Sequence, residues 1–237
     1  FNGVKSSTLK EKILEGLSLN TRSSYDKILL KKDKNKILSS LKDLGYYFST
    51  IDVDKSEVGE NKVNLIFNIN LGKKAKIKKI SFIGNKKYKD GKLRSLIISE
   101  EYKFWKFISG KKYLNENLIN FDKKLLRNYY LNKGFYDVSI NSSFAKLVDN
   151  DEFELIFNID AKDKFFFGEL NISLPNDFEP TNFDNIKNIF EKLKDRPYSI
   201  NSVEKIIDEI DKISIREQYE SVKASVVENI DSNKINL

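Results

Sequence analysis

The sequence contains no cysteine, no histidine and no methionine, and only one tryptophan and three prolines among 237 residues. Without cysteine there is no disulfide and no thiol nucleophile. Without histidine as well, a Cys/His zinc site and a Ser-His-Asp triad are excluded. No apolar run approaches the ~18–20 residues of a membrane-spanning helix. The missing methionine leads us to expect an excised or processed piece of a longer protein. Charge, by contrast, is plentiful. Charged residues make up 32% of the chain, above the roughly 25% of an average soluble domain, and the net charge is +7. A basic surface admits nucleic acid or anionic lipid as partners. The heavy use of Lys, Asn, Ile and Phe also looks like an AT-rich coding habit, which accounts for part of the lysine. Apolar residues at 40% are enough for one or two cores, or several small ones.

Internal repetition organises the chain. Val63-Asn64-Leu65-Ile66-Phe67-Asn68-Ile69 matches Phe153-Glu154-Leu155-Ile156-Phe157-Asn158-Ile159 at an offset of 90. Upstream, Leu44-Gly45-Tyr46-Tyr47 matches Lys133-Gly134-Phe135-Tyr136 at an offset of 89. A weaker third copy reads Gln218-Tyr219-Glu220-Ser221-Val222, then Ile235-Asn236-Leu237. Phe1-Asn2-Gly3 echoes Phe82-Ile83-Gly84-Asn85. The chain is therefore expected to begin at the end of one unit's first strand and to stop inside another's last.

Periodicity gives each unit its elements. Phe153, Leu155, Phe157 and Ile159 alternate with more polar neighbours, a half-buried strand. Val138, Ile140 and Ser142 alternate with Ser139, Asn141 and Ser143 in a weaker one, and Asp149-Asn150-Asp151 supplies the turn between them. Leu118, Phe121, Leu125 and Tyr129 step by helical spacing, and Gly134 follows where a left-handed residue would end that helix. Leu93 and Ile97 mark a shorter helix, and Ile80 and Phe82 a strand ending at Gly84. In the first copy Leu9, Ile13 and Leu17, then Ile37, Leu41 and Leu44, mark two helices, with Thr8 and Glu11 spaced as a capping box. In the third, Phe183, Ile186, Phe190 and Leu193 precede Val203, Ile207, Ile210 and Ser214, with Asn201 and Glu204 placed to cap. The expected fold is α+β: tandem β-α-α-β-β units, each a three-stranded mixed sheet covered by two antiparallel helices on one face. The units span residues 1–72, 73–162 and 163–237.

Two stretches carry a family resemblance. Ile77-x-x-Ile80-x-Phe82-x-Gly84-Asn85 in the first strand and Tyr129-Tyr130-Leu131-Asn132-Lys133-Gly134-Phe135 at the end of the second helix resemble POTRA domains, the polypeptide-transport-associated modules of outer-membrane barrel assembly proteins. The insert Phe104-Trp105-Lys106-Phe107-Ile108-Ser109-Gly110-Lys111-Lys112-Tyr113 is similar to the third domain of a five-domain array, so the three units resemble the second, third and fourth. The resemblance covers nearly the whole chain. In the third unit Gln218 replaces the glycine.

The resemblance implies a non-enzymatic periplasmic scaffold that binds unfolded outer-membrane polypeptides and accessory lipoproteins and assists barrel insertion. It also implies an open edge at the second strand of each unit and a C-terminal barrel anchoring the full-length protein. The alternatives are a basic nucleic-acid-binding repeat protein and the POTRA region of a related transporter.

Other chemistry reads weakly. Lys133 to Ile140 superficially fits an RNA-recognition signature, but Asp137 stands where a stacking aromatic is required, and no Gly-x-x-Gly occurs; nucleic acid is not expected as a partner. Asp52, Asp54 and Ser56 hint at a calcium loop, yet Glu57 replaces the turn glycine and Val63 the last ligand, so neither metal nor cofactor is expected. Glu100-Glu101 and Asp149/Asp151 read as solubilising carboxylates. Lys73-Lys74 and Lys111-Lys112 read as solvated faces, with anionic lipid headgroups as the functional alternative. Phe104, Trp105 and Phe107 read as a satellite core under a loop, the alternative being contact with a partner domain or lipid. Phe165-Phe166-Phe167 reads as packing at a joint between units.

The candidate peptide-binding edge is Val138, Ser139, Ile140, Asn141, Ser142 and Ser143, too polar for a central strand. Ile140 and Phe144, with the helix around Tyr129 and Tyr130, would shape a shallow groove beside it. Gly45, Gly84 and Gly134 are the candidate structural positions.

Overall fold

A computed structural model describes residues 1–21, 23–59, 62–105, 109–147, 151–219 and 223–237. The fold is α+β, with mixed sheets and helices recurring in each repeat. By density of contacts the chain forms two compact units, one of residues Phe1–Phe82, Ile97–Lys123 and Ser142–Phe157, the other of Ile83–Leu96, Lys124–Asn141 and Asn158–Leu237.

In the first repeat, helices α1 (Ser7–Leu14) and α2 (Lys27–Asp43) precede strands β1 (Thr50–Glu57) and β2 (Val63–Asn70). The strands pair antiparallel, and Asn2 bridges Asn68 in parallel on the other side of β2. Val4, Ile13, Leu17, Ile37, Leu41, Ile51, Phe67 and Ile69 form the core. The hydroxyl that accepts the Leu9 N–H and starts α1 belongs to Ser6. Thr8, expected as the cap, lies inside the helix, too late to reach that third amide.

The middle repeat contains β3 (Lys76–Asn85), α3 (Asp90–Arg94), a 3₁₀ turn over Gly110–Lys112, α4 (Glu116–Leu131), β4 (Ser139–Lys146) and β5 (Glu152–Asp160). Its strand order is β3-β5-β4. Lys76 donates to the Asp151 carbonyl at one end of β3 and Ala161 to the Asn85 carbonyl at the other, so β3 and β5 run parallel. Ile97 falls outside α3, which closes after a little more than one turn. Gly84 lies inside β3 at φ +87°, where a Cβ would stand 2.4 Å from the Ile159 carbonyl oxygen. Of the expected Asp149-Asn150-Asp151 turn, only Asp151 is among the described residues.

The third repeat has β6 (Phe166–Phe167), α5 (Asp184–Leu193), α6 (Ile200–Arg216), β7 (Asn229–Asp231) and β8 (Lys234–Asn236). Its order is β6-β8-β7, with β6 parallel and β7 antiparallel to β8. Ser199, not Asn201, caps α6 by accepting the Ser202 N–H. Asn201 sits within the helix, and its side-chain oxygen accepts instead from Asn132 Nδ2. Glu220, Ser221 and Val222 lie outside the described residues.

The long helices of the three repeats stop in one way. Gly45 and Tyr46 donate to the Lys42 and Leu41 carbonyls, Gly134 and Phe135 to those of Leu131 and Tyr130, and Gln218 and Tyr219 to those of Ile215 and Ser214. This paired closure needs a left-handed residue. It is Gly at φ +91° and +90°, and Gln218 at +57°.

The same helix ends then hold the next repeat. Asn115 Nδ2 donates to the Asp43 carbonyl and Asn117 Nδ2 to its carboxylate, while Asn115 Oδ1 caps α4 by accepting the Leu118 N–H. Likewise Ser199 Oγ and the Asn201 N–H both donate to Asn132 Oδ1 at the start of α6. Phe165 donates its N–H to the Gly134 carbonyl at 2.7 Å, and its ring tilts against Tyr136. Among the described residues no helix is long and apolar enough to cross a membrane.

Candidate peptide-binding edge

Among the described residues β4 is an edge strand, with β5 on one side only. Leu147, just past its end, donates to the Glu152 carbonyl at 2.8 Å. Because backbone groups alternate in direction along a strand, residues 143, 145 and 147 face β5, and Ile140, Ser142, Phe144 and Lys146 present N–H and C=O outward. Val138 does not belong to this edge. It precedes the strand, is buried, and its carbonyl accepts from Arg127 Nη1. An apolar Val after the helix stop serves the interior, and only from Ser139 onward is the chain polar enough to be wetted.

Beside the Ser142–Phe144 stretch lies a cleft of about 200 Å³ lined by Tyr47, Glu116, Ile119, Asn120, Lys123, Ser142, Ser143, Phe144 and Leu155. That is below the ~300–1,000 Å³ of a small-molecule site, so it suits one side chain of an extended peptide rather than a cofactor. The floor is apolar, and the rim carries one acid and one base. Burial first, and the charge of Glu116 second, push the Tyr47 hydroxyl above its usual range. Phe144 packs edge-on against Tyr47 at 5.0 Å, and Phe48 stacks on Phe153 at 5.0 Å.

The helical wall of this cleft comes from the first two turns of α4. Tyr129 and Tyr130, expected to line a groove, lie beyond it. Tyr130 is fully buried and donates its hydroxyl to the Lys86 carbonyl, and both rings meet Tyr88 edge-on. The helix is turned by about one residue from the stripe expected of it: Ile119, Asp122, Leu126 and Tyr130 face inward, and Phe121 is 46% exposed. A buried carboxylate hid this face. Asp122, at 0% exposure, accepts the N–H groups of Ile98 and Ser99 at 2.6 and 3.2 Å. Burial is the main influence on it and pushes its carboxyl above the ordinary range, against those hydrogen bonds. Asp33 does the equivalent in the first repeat, accepting from Ser18 and Leu19 at 2.8 Å each. The sequence signal was present, since the two aspartates share the offset of 89.

Three other sequence expectations change. Glu101 is not simply solubilising, because its carboxylate accepts the Ile80 N–H at 3.0 Å. Lys112 is buried, with its ammonium over the rings of Tyr102 and Tyr113. Phe104 and Trp105 are 73% and 58% exposed, so they are not a satellite core; Phe107 and Asp149 lie outside the described residues. Asp54 of the supposed calcium loop lies on β1 and accepts from Asn68 Nδ2.

Comparison with known proteins places this geometry. A family model described as POTRA, surface antigen variable number repeat, matches residues 1–72 and 75–162. The outer membrane protein assembly factor BamA of Neorickettsia risticii (strain Illinois) is 26% identical over 176 residues, 69% of this chain and 24% of that protein. BamA of Buchnera aphidicola subsp. Acyrthosiphon pisum (strain APS) is 24% identical over 239 residues, covering 98% of this chain and 37% of the relative. The chain thus spans about a quarter to just over a third of these curated relatives' length. The fold is similar to the crystal structure of Haemophilus influenzae BamA POTRA3-5, with a TM-score of 0.60 and 16% identity over 98% of this chain and 89% of that one. Matched by the family model over more than half its length, and sharing its fold with the domains of BamA, the chain belongs to the POTRA family.

Proposed function

We propose that this chain is part of the periplasmic scaffold of an outer-membrane protein assembly factor, acting without catalysis through three POTRA units at residues 1–72, 73–162 and 163–237. It receives unfolded outer-membrane polypeptides, and docks accessory lipoproteins, by adding their extended segments to β4. The observation that carries this reading is the row of outward N–H groups at Ile140, Ser142, Phe144 and Lys146 with the small cleft alongside. Backbone bonds to such an edge are worth about 0.5–1.5 kcal/mol each and are nearly independent of sequence, as a scaffold with many clients requires. The cleft then favours an apolar side chain at alternate positions. The edge lacks proline and carries Lys146 as its only charged residue, so little blocks pairing.

The test is an NMR titration of the isotopically labelled chain with peptides copied from outer-membrane strands. Shifts should concentrate on 139–146 and on Tyr47, Ile119 and Lys123. Shifts confined to another face, or binding to single-stranded nucleic acid with a steep salt dependence and no effect of peptide, would replace this reading.

A further inference from the structure

The geometry points to a second contact surface, separate from the β4 edge: the segment Tyr102–Trp105, with the lysines around its base, seats the middle repeat on an anionic lipid surface. This rests on the reading that the chain works beside a membrane.

The base of the segment is fixed. Tyr102 donates its N–H to the Ile77 carbonyl at 2.6 Å, and Glu100 donates to the Lys111 carbonyl at 3.0 Å. From this base Phe104 and Trp105 stand largely in solvent, their rings edge-to-face at 4.7 Å. Two large aromatics exposed side by side, while neighbouring apolar side chains such as Ile77, Ile80 and Leu114 are buried, call for a covering partner.

The charge around them says which. Lys103 lies over Trp105 at 5.7 Å. Lys76 lies over the Tyr102 ring at 4.8 Å and Lys74 over the Tyr113 ring at 5.0 Å, while the buried Lys112 packs on Tyr102 and is not among the lysines that face the solvent. Among the described residues Lys103 and Lys111 form no ion pair, and the carboxylate of Glu101 accepts the Ile80 N–H. Lys73, Lys78 and Lys79 of the same repeat pair with Asp151, Glu152 and Glu154. A Trp-Phe tip ringed by Lys and Tyr is the composition of a membrane–water interface. Aromatic rings settle at headgroup depth there, and lysine stems reach outward to phosphates.

Trp105 is the chain's single tryptophan, so its fluorescence reads this site alone. With vesicles of phosphatidylglycerol and phosphatidylethanolamine, its emission should shift to the blue and become protected from aqueous quencher. Phosphatidylcholine vesicles should have little effect. Phe104→Ser should abolish most of the shift, and Lys103→Gln and Lys111→Gln should each weaken vesicle binding about fivefold at low salt. Peptide shifts on β4, recorded on the same variants, should be unchanged, so failure of either site is read independently. Emission unmoved by anionic vesicles, an equal shift with phosphatidylcholine, or full binding by Phe104→Ser would overturn the proposal. So would an emission that ignores lipid but shifts when an unfolded outer-membrane protein is added, which would assign the tip to a protein contact.

Discussion

Asp33 and Asp122 stand 89 residues apart and do the same work, each lying buried on a long helix and accepting two backbone N–H groups from the segment that follows the preceding short helix. The third repeat has Ile206 at the matching distance from its helix stop, also buried, and there the role is gone.

Removing either carboxylate leaves two amides facing an apolar space. Asp122→Ala is expected to cost about 2–4 kcal/mol and Asp33→Ala a similar amount, because each orphaned buried donor forfeits its own solvation. Since α4 also walls the cleft, Asp122→Ala should loosen peptide binding as well as lower stability. Chemical denaturation of the two variants, with peptide binding measured alongside, checks this. A loss below about 0.5 kcal/mol would show that water or another group replaces the carboxylate.

The helix stops differ in what they demand. A Cβ on Gly134 would lie 3.0 Å from the Phe165 carbonyl oxygen at φ +90°, so Gly134→Ala should cost about 1–2 kcal/mol. Gln218 already bears a left-handed conformation, and Gln218→Gly should stabilise by about 0.5 kcal/mol once the looser unfolded chain is counted. Thermal unfolding should therefore move in opposite directions for the two variants.

Much of this was legible in advance, and the exceptions have physical causes. The repeat offsets carried the unit order and the positions of the long helices, because apolar spacing and helix stops are local. The inward face of α4 was misread by one residue because Asp122 is polar, and periodicity treats a buried, hydrogen-bonded carboxylate as an outward one. The caps slipped to Thr8 and Asn201 from Ser6 and Ser199, since several short polar residues stand within two positions of each start. Tyr47 in the cleft could not have been read at all. It comes from the preceding repeat, and its place depends on how Asp43 meets Asn115 and Asn117. For Phe104 and Trp105, composition records hydrophobicity but not whether anything covers it.

Glu228 accepts the hydroxyls of both Tyr136 and Tyr198. The hydrogen bond to Glu228 is the main reason Tyr136 is pushed up to about 12, and burial is the main reason Tyr198 is raised. A raised phenol contributes stability that is fully present below the unfolded value of about 10 and is lost as pH climbs through the folded value. Absorbance titration should show these rings ionising late, with unfolding gathering between about pH 10 and 12. Glu228→Gln should bring Tyr136 down markedly and Tyr198 less. Unchanged titration of Tyr136 in that variant would contradict the assignment.

Strand addition at β4 is tested most directly by the affinity of a client peptide for two neighbouring proline variants, measured by isothermal titration calorimetry with thermal unfolding as control. Ser142→Pro removes an outward N–H and should weaken binding about 2- to 10-fold while leaving the fold nearly intact. Ser143→Pro removes a bond to β5 and should lower the unfolding temperature clearly. Wild-type affinity in Ser142→Pro, with its fold intact, would contradict the account.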